Sequence, residues 1–125
     1  MEYKMNMDEL AGMLTRKIAE ASYKARITEY LANIGFDSDG MRRESNTLYG
    51  YAFAWIEVLN TATGAENGDD IYRKAQRDAS GEILQTRNLY AKRDDVIRVL
   101  LAAAGYSREA INAKIANLKW ISISE

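Results

Sequence analysis

Between Asn6 and Gly35 an apolar stripe runs at helical spacing without a break, and this stretch constrains the fold more than any other. Leu10, Leu14, Ile18, Ala21, Ala25 and Thr28 recur every three or four residues, as one face of an α-helix requires. Ile27, Leu31 and Ile34 carry the stripe slightly around the cylinder. Asn6 and Glu9 have the spacing of a capping box, with Asn6 at the N-cap. At the other end Gly35 suits the left-handed C′ position, and Phe36 can fold back as the apolar C″ residue. Roughly 29 residues at 1.5 Å each span about 43 Å. A globule of this length has a radius of gyration of ~14 Å, hence a diameter of roughly 36 Å. The helix is therefore expected to bend or to break near Ser22. If it projects instead, its stripe would serve a homodimer.

At 125 residues the chain fits one domain and can bury a core without metals or disulfides. Residues 37–46 (DSDGMRRESN) read as a polar connection. The most apolar segment follows, over 47–63, and it fits two templates. With period two, Tyr49, Tyr51, Phe53 and Trp55 share the face of a strand. With period 3.6, Leu48, Ala52, Trp55, Leu59 and Ala62 align, and Asn46, Gly50, Glu57 and Thr61 make a narrow polar stripe. Length favours a mostly buried helix ending at Gly64. Residues 65–70 (AENGDD) read as a loop around an Asn-Gly dipeptide.

Residues 71–90 are read as helix, with Ser80 capping a second piece; the alternative is a β-hairpin turning at Gly81. Asp94 and Asp95 suit a helix N-terminus. Val96, Ile97, Leu100, Leu101 and Ala104 give the following helix an apolar face, closed by Gly105. Ser107 caps a last helix bearing Ile111, Ile115 and Leu118, after which Trp120, Ile121 and Ile123 are expected to pack back. The predicted fold is a mainly α, single-domain bundle of four to six helices over 1–125.

Three absences bound the chemistry. With no Cys, no His and no Pro, the chain lacks thiol and imidazole nucleophiles, thiolate zinc sites and histidine metal ligands. Glu66, Asp69 and Asp70, with Asp37 and Asp39, are the remaining candidates for a hard cation such as Mg²⁺. Helix capping and loop solubility account for them, since they sit in the two segments read as polar connections and not as a repeat along one helix. There is no phosphate-binding glycine motif, so no cofactor is expected and binding outranks catalysis. A net charge of −1, from 17 Lys+Arg and 18 Asp+Glu, argues against a polyanion-coating protein. No apolar run is long enough for a membrane span, and no signal-like N-terminus is visible; cytoplasmic residence is the default expectation.

Eight Tyr and two Trp against two Phe leave more amphipathic aromatics than a small helical core needs. Such side chains dominate protein-binding hot spots. The candidate contacts are Tyr49, Tyr51, Tyr72 and Tyr90, with Arg73, Arg87 and Arg93 nearby, and the expected partner is another protein. Size and composition resemble the small accessory or inhibitor proteins that phages and mobile elements encode.

The alternative partner is nucleic acid. A basic bias runs from Arg73 to Arg98, interleaved with Tyr72 and Tyr90 and nearly cancelled by acids. Further on, LLAAAGYSREAINAKIANL, with Ala104-Gly-Tyr-Ser107 at its centre, resembles the helix-turn-helix family. That resemblance implies DNA contacts from the second helix, at Arg108, Glu109, Asn112 and Ala113, with Lys114 on the same helix. Leu101 stands where the family keeps a small residue, and Lys114 where an apolar one packs.

Overall fold

A computed structural model describes residues 6–123, with side chains to Asn117, and every element in it is helical. Five helices follow one another: α1 (Met7–Asn33), α2 (Ser38–Thr63), α3 (Asn67–Leu89), α4 (Arg93–Ala103) and α5 (Arg108–Ile123). The first three lie side by side, α1 against both α2 and α3, and α4 packs on α1 and α3. The packing expected of Leu118, Trp120, Ile121 and Ile123 falls on side chains outside those described.

The predicted ends of α1 are present. The Asn6 carboxamide oxygen accepts from the Glu9 backbone N–H at 2.8 Å, and the Asn6 amide donates to the Glu9 carboxylate at 3.2 Å. At the far end Gly35 takes φ 88°, its N–H reaches the Ala32 carbonyl and the Phe36 N–H reaches that of Leu31. This is a Schellman turn, and Phe36 is buried beneath it. The same turn recurs after α4. Gly105 and Tyr106 donate to Ala102 and Leu101, and the Ser107 hydroxyl then accepts from the Ala110 N–H.

The expected break near Ser22 does not occur. Ala21, Ser22 and Ala25 are small and buried, so α2 and α3 can approach α1 closely. Ser45 donates to the Ala25 carbonyl at 2.9 Å, and Gln76 donates to the Ser22 carbonyl at 2.6 Å. Three helices of about 40, 39 and 34 Å, from their residue counts, support one another along their lengths. The spherical estimate therefore misjudged the shape. Nor does α1 project: its first turns bury Leu14 and Ile18 against Ile56 and Leu59.

Four more expectations are corrected. Residues 38–46 are the start of α2, not a connection, because Met41 and Ser45 extend its buried stripe two turns upstream. Ser38 ties that start to α1 by donating to the Ala32 carbonyl. The loop at 65–70 shrinks to Gly64–Glu66. Asn60, at the end of α2, accepts from the Gly68 N–H at 2.8 Å and so caps α3 from outside the helix. Any Cβ at Gly68 would come within 3.0 Å of Asn60 and Ile56. Residues 67–89 form one helix, with neither hairpin nor break, and Ser80 accepts from Arg26 instead of capping. Ala75, Ala79, Ile83 and Thr86 give this helix its buried seam. Finally, α2 is helical over 47–63 as favoured, but it is not mostly buried. Within that stretch only Ala52, Ile56 and Leu59 are buried, while Tyr51, Phe53 and Val58 are about half exposed.

The core divides in two. Ile27, Leu31, Phe36, Met41, Ile83, Leu100 and Leu101 anchor the larger cluster, which Ile111 and Ile115 of α5 join. Leu14, Ile18, Ile56 and Leu59 form the smaller one near the start of α1. Because α4 has 11 residues, it fills the space between α1 and α3 only over part of their length. Beyond Ala103 an open groove of about 600 Å³ remains, floored by Ala19 and Ala75.

Candidate binding surface

Helical periodicity sorts the four aromatics of the 49–55 run into two pairs, one on each flank of α2. Tyr49 and Phe53, four residues apart, stack at 5.9 Å, and Tyr51 and Trp55 stack at 5.6 Å on the other flank. The first pair meets α3, where the Tyr72 ring lies 5.4 Å from Phe53 and 6.4 Å from Tyr49. The result is a platform of three rings drawn from two helices. The second pair lies toward α1, where the Lys17 ammonium sits 5.3 Å over the Trp55 ring.

Hydrogen bonds hold the platform from below. The Tyr49 hydroxyl lies 3.0 Å from the Glu29 carboxylate and 3.2 Å from the Gln76 side-chain oxygen. Gln76 in turn donates to the Ser22 carbonyl, so α1, α2 and α3 share one polar seam. Burial, reinforced by the bond to Glu29 and by its charge, pushes the Tyr49 phenol up to about 12. Tyr72 is raised for the same reasons, burial first and the Glu29 charge second. Both phenols are therefore neutral across the physiological range, and that of Tyr49 is held in place by its hydrogen bonds. Phe53 lies on this fixed pair and stays 52% exposed.

The predicted contact residues do not form one patch. Tyr49 and Tyr72 join the platform, and Arg73 lies beside Tyr72 in sequence with its guanidinium 3.1 Å from Asp70. Tyr51 is on the opposite flank. Arg87, Tyr90 and Arg93 gather instead at the other end of α3, around a shallow pocket of about 320 Å³ shared with Tyr30 and Ile34. Eighteen residues of helix, about 27 Å, separate Tyr72 from Tyr90. Arg93 is engaged there in a structural contact, donating to the Ile34 carbonyl at 2.9 Å.

Phe53 and Trp55 were not among the predicted contacts, although both belong to the aromatic run. The signal was the four-residue spacing of Tyr49 to Phe53 and of Tyr51 to Trp55, which becomes meaningful once the segment is known to be helical.

The α4–α5 pair places Arg108, Glu109, Asn112 and Ala113 on an exposed face. Asn112 already accepts from Arg98 at 2.8 Å. Lys114 is half-buried, 3.8 Å from Asp37 and 5.3 Å over the Tyr106 ring. Leu101, the first departure from the helix-turn-helix pattern, is fully buried between the helices. Tyr106 also donates to Glu44, and its phenol is raised by burial and by that bond. The acids are likewise engaged: Asp69 accepts from Asn60 at 2.7 Å, Asp70 pairs with Arg73, and Asp37 faces Lys114. Among the described residues no three carboxylates converge as a metal site, and no helix is long and apolar enough to cross a membrane.

No family model, no curated protein and no solved structure matches this chain.

Proposed function

We propose that the protein acts by binding another protein, without chemistry of its own, through the platform of Tyr49, Phe53 and Tyr72. One observation carries this reading: a phenylalanine ring half exposed to water on a pre-assembled aromatic bed. Phe has no polar tip, so water does not offset the exposure as it does for an edge tyrosine. Within the bed Tyr49 is already held by Glu29 and Gln76, so little of its side-chain freedom remains to be lost on binding. Rigid, partly exposed aromatics are the composition of a protein-binding hot spot. The accessory or inhibitor role proposed with it is supported by the resemblance in size and composition.

The test is a double variant, Phe53→Ala with Tyr72→Ala, used as bait in extract of the native host. The variant should retain its helical circular dichroism and lose the partner that the parent protein captures. Capture unchanged by a folded double variant would overturn the assignment.

A further inference from the structure

We propose that the pocket where the ends of α1 and α3 meet the start of α4 binds an aryl phosphate monoester, the chemistry of a phosphotyrosine side chain. The inference is independent of the three-ring platform, which meets α3 near its other end. Tyr30 comes from α1 and Ile34 from its end, Arg87 from α3, Tyr90 from the turn after it, and Arg93 and Val96 from α4. Val96 is buried and Tyr30 and Ile34 are half-buried, so these three make the base of the pocket. Arg87, Tyr90 and Arg93 are exposed and make its mouth.

The charge at this mouth has one sign. Among the described residues neither Arg87 nor Arg93 pairs with a carboxylate, whereas Arg26 and Arg73 elsewhere do. Asp94 and Asp95 follow Arg93 in sequence but do not line the pocket. Two cations from different helices therefore share one cavity without a compensating acid. Arg93 is already fixed there, because one guanidinium nitrogen donates to the Ile34 carbonyl at 2.9 Å while the rest of the fork stays uncommitted. The Arg87 guanidinium has no hydrogen bond among the described residues and is wholly available.

Charge and shape then select the ligand. A carboxylate has one charge and two oxygens, which a single guanidinium fork satisfies. A phosphate monoester carries roughly −1.5 to −2 at pH 7 on three acceptor oxygens, which matches two guanidiniums. Below the arginines, Ile34 and Val96 offer apolar surface, and Tyr90 offers a ring on which a flat group can stack. A nucleobase would bring polar edges that Ile34 and Val96 leave unsatisfied, so the base of the pocket suits a phenyl ring instead. A volume of about 320 Å³ is at the lower limit of ligand pockets and suits one ring with its phosphate.

The test follows backbone amide shifts of the full chain by NMR. Phenyl phosphate should shift the amides of Tyr30, Tyr90 and Val96 saturably, with a dissociation constant on the order of 1 mM. Inorganic phosphate and adenosine monophosphate should each bind roughly tenfold more weakly or worse. Arg87→Gln, an exposed change, should weaken phenyl phosphate roughly tenfold, the size of one lost charge-assisted hydrogen bond. Arg77→Gln, equally exposed on α3, should leave binding unchanged. Tyr90→Ala should weaken phenyl phosphate and leave the weak binding of inorganic phosphate as it is. A tyrosine-phosphorylated peptide that binds at least as tightly as phenyl phosphate supports the site with a protein source. Exclusion of the peptide while phenyl phosphate binds supports it with a free ester. No saturable shift up to about 10 mM phenyl phosphate would overturn the proposal. So would inorganic phosphate binding as tightly as phenyl phosphate, or equal losses from Arg87→Gln and Arg77→Gln, which would mean general charge attraction only. Adenosine monophosphate binding as tightly would overturn the aryl assignment in favour of a nucleotide. None of these variants touches Tyr49, Phe53 or Tyr72, so partner capture by the platform is scored separately.

Discussion

The outward faces of α2 and α3 are made of different material, although the two helices are alike in length and pack on the same α1. Along α3 the exposed residues are mostly polar, among them Arg73, Lys74, Arg77, Asp78, Gln85 and Arg87, with Leu84 and Leu89 the large apolar exceptions and ion pairs from Arg73 to Asp70 and from Lys74 to Asp78. Along α2, from Asn46 onward, they include Thr47, Gly50, Tyr51, Phe53, Ala54, Val58 and Thr61, with Glu57 the lone charge. Both helices satisfy the core with a handful of inward positions. The apolar surplus of α2 therefore does not serve this chain's own packing, and that difference singles out α2 as the surface to test.

The largest contrast lies between neighbours on α2. Leu59 is buried and Val58 is half exposed. Leu59→Ala should cost about 2–5 kcal/mol in urea unfolding, whereas Val58→Ala should cost under ~0.5 kcal/mol. Similar costs at both positions would mean that the outer face is core.

Next come two glycines. Gly68→Ala should destabilise by about 1–3 kcal/mol, because the added carbon meets Asn60 and Ile56 at 3.0 Å. Gly81→Ala, in open space within α3, should instead stabilise by about 0.5–1 kcal/mol. Thermal unfolding distinguishes the opposite signs.

A smaller effect belongs to the platform's anchor. Tyr49→Phe removes a hydroxyl bonded at the junction of three helices and should cost about 0.5–1.5 kcal/mol at neutral pH. The folded phenol titrates at about 12 against 10.0 for its ordinary value. The neutral form is thus favoured by folding: its contribution is whole below pH 10 and is lost as pH rises toward 12. The Phe variant should show a shallower alkaline loss of stability than the parent. An identical pH profile would mean that the Tyr49 phenol is not held in its neutral form by the fold.

The smallest effect is a gain. The Ser22 hydroxyl is buried and lacks a hydrogen-bond partner among the described residues. Ser22→Ala should therefore stabilise by up to about 1 kcal/mol, and a clear loss would show that the hydroxyl has a partner after all.

Much of the fold was readable where its cause is local. The Asn6 cap, the Gly35–Phe36 turn and the Gly105–Ser107 turn depend on residues within a few positions of one another. What was misread depends on distant parts of the chain. Ser45 looks like loop material until the Ala25 carbonyl of another helix accepts its hydroxyl. Asn67–Asp70 looks like a loop because the residue that caps α3 is Asn60, on α2. In α2 both faces are apolar, so periodicity could reveal a helix without telling inside from outside. That ambiguity hid Phe53, whereas Tyr49 and Tyr72 were visible from composition. Tyr72 and Tyr90 stand apart because a continuous α3 holds them near its opposite ends, where a hairpin would have brought them together.

On the proposed function, the α2 flank binds protein because of what it is made of, not merely because it is exposed. Leu84 on α3 is 58% exposed, slightly more than Phe53. A photo-crosslinking phenylalanine analogue placed at 53 or at 84 in the native host therefore separates composition from exposure. A discrete adduct with another protein is expected from position 53 and none from 84. Equal adducts from both positions, or no protein adduct from 53, would contradict it.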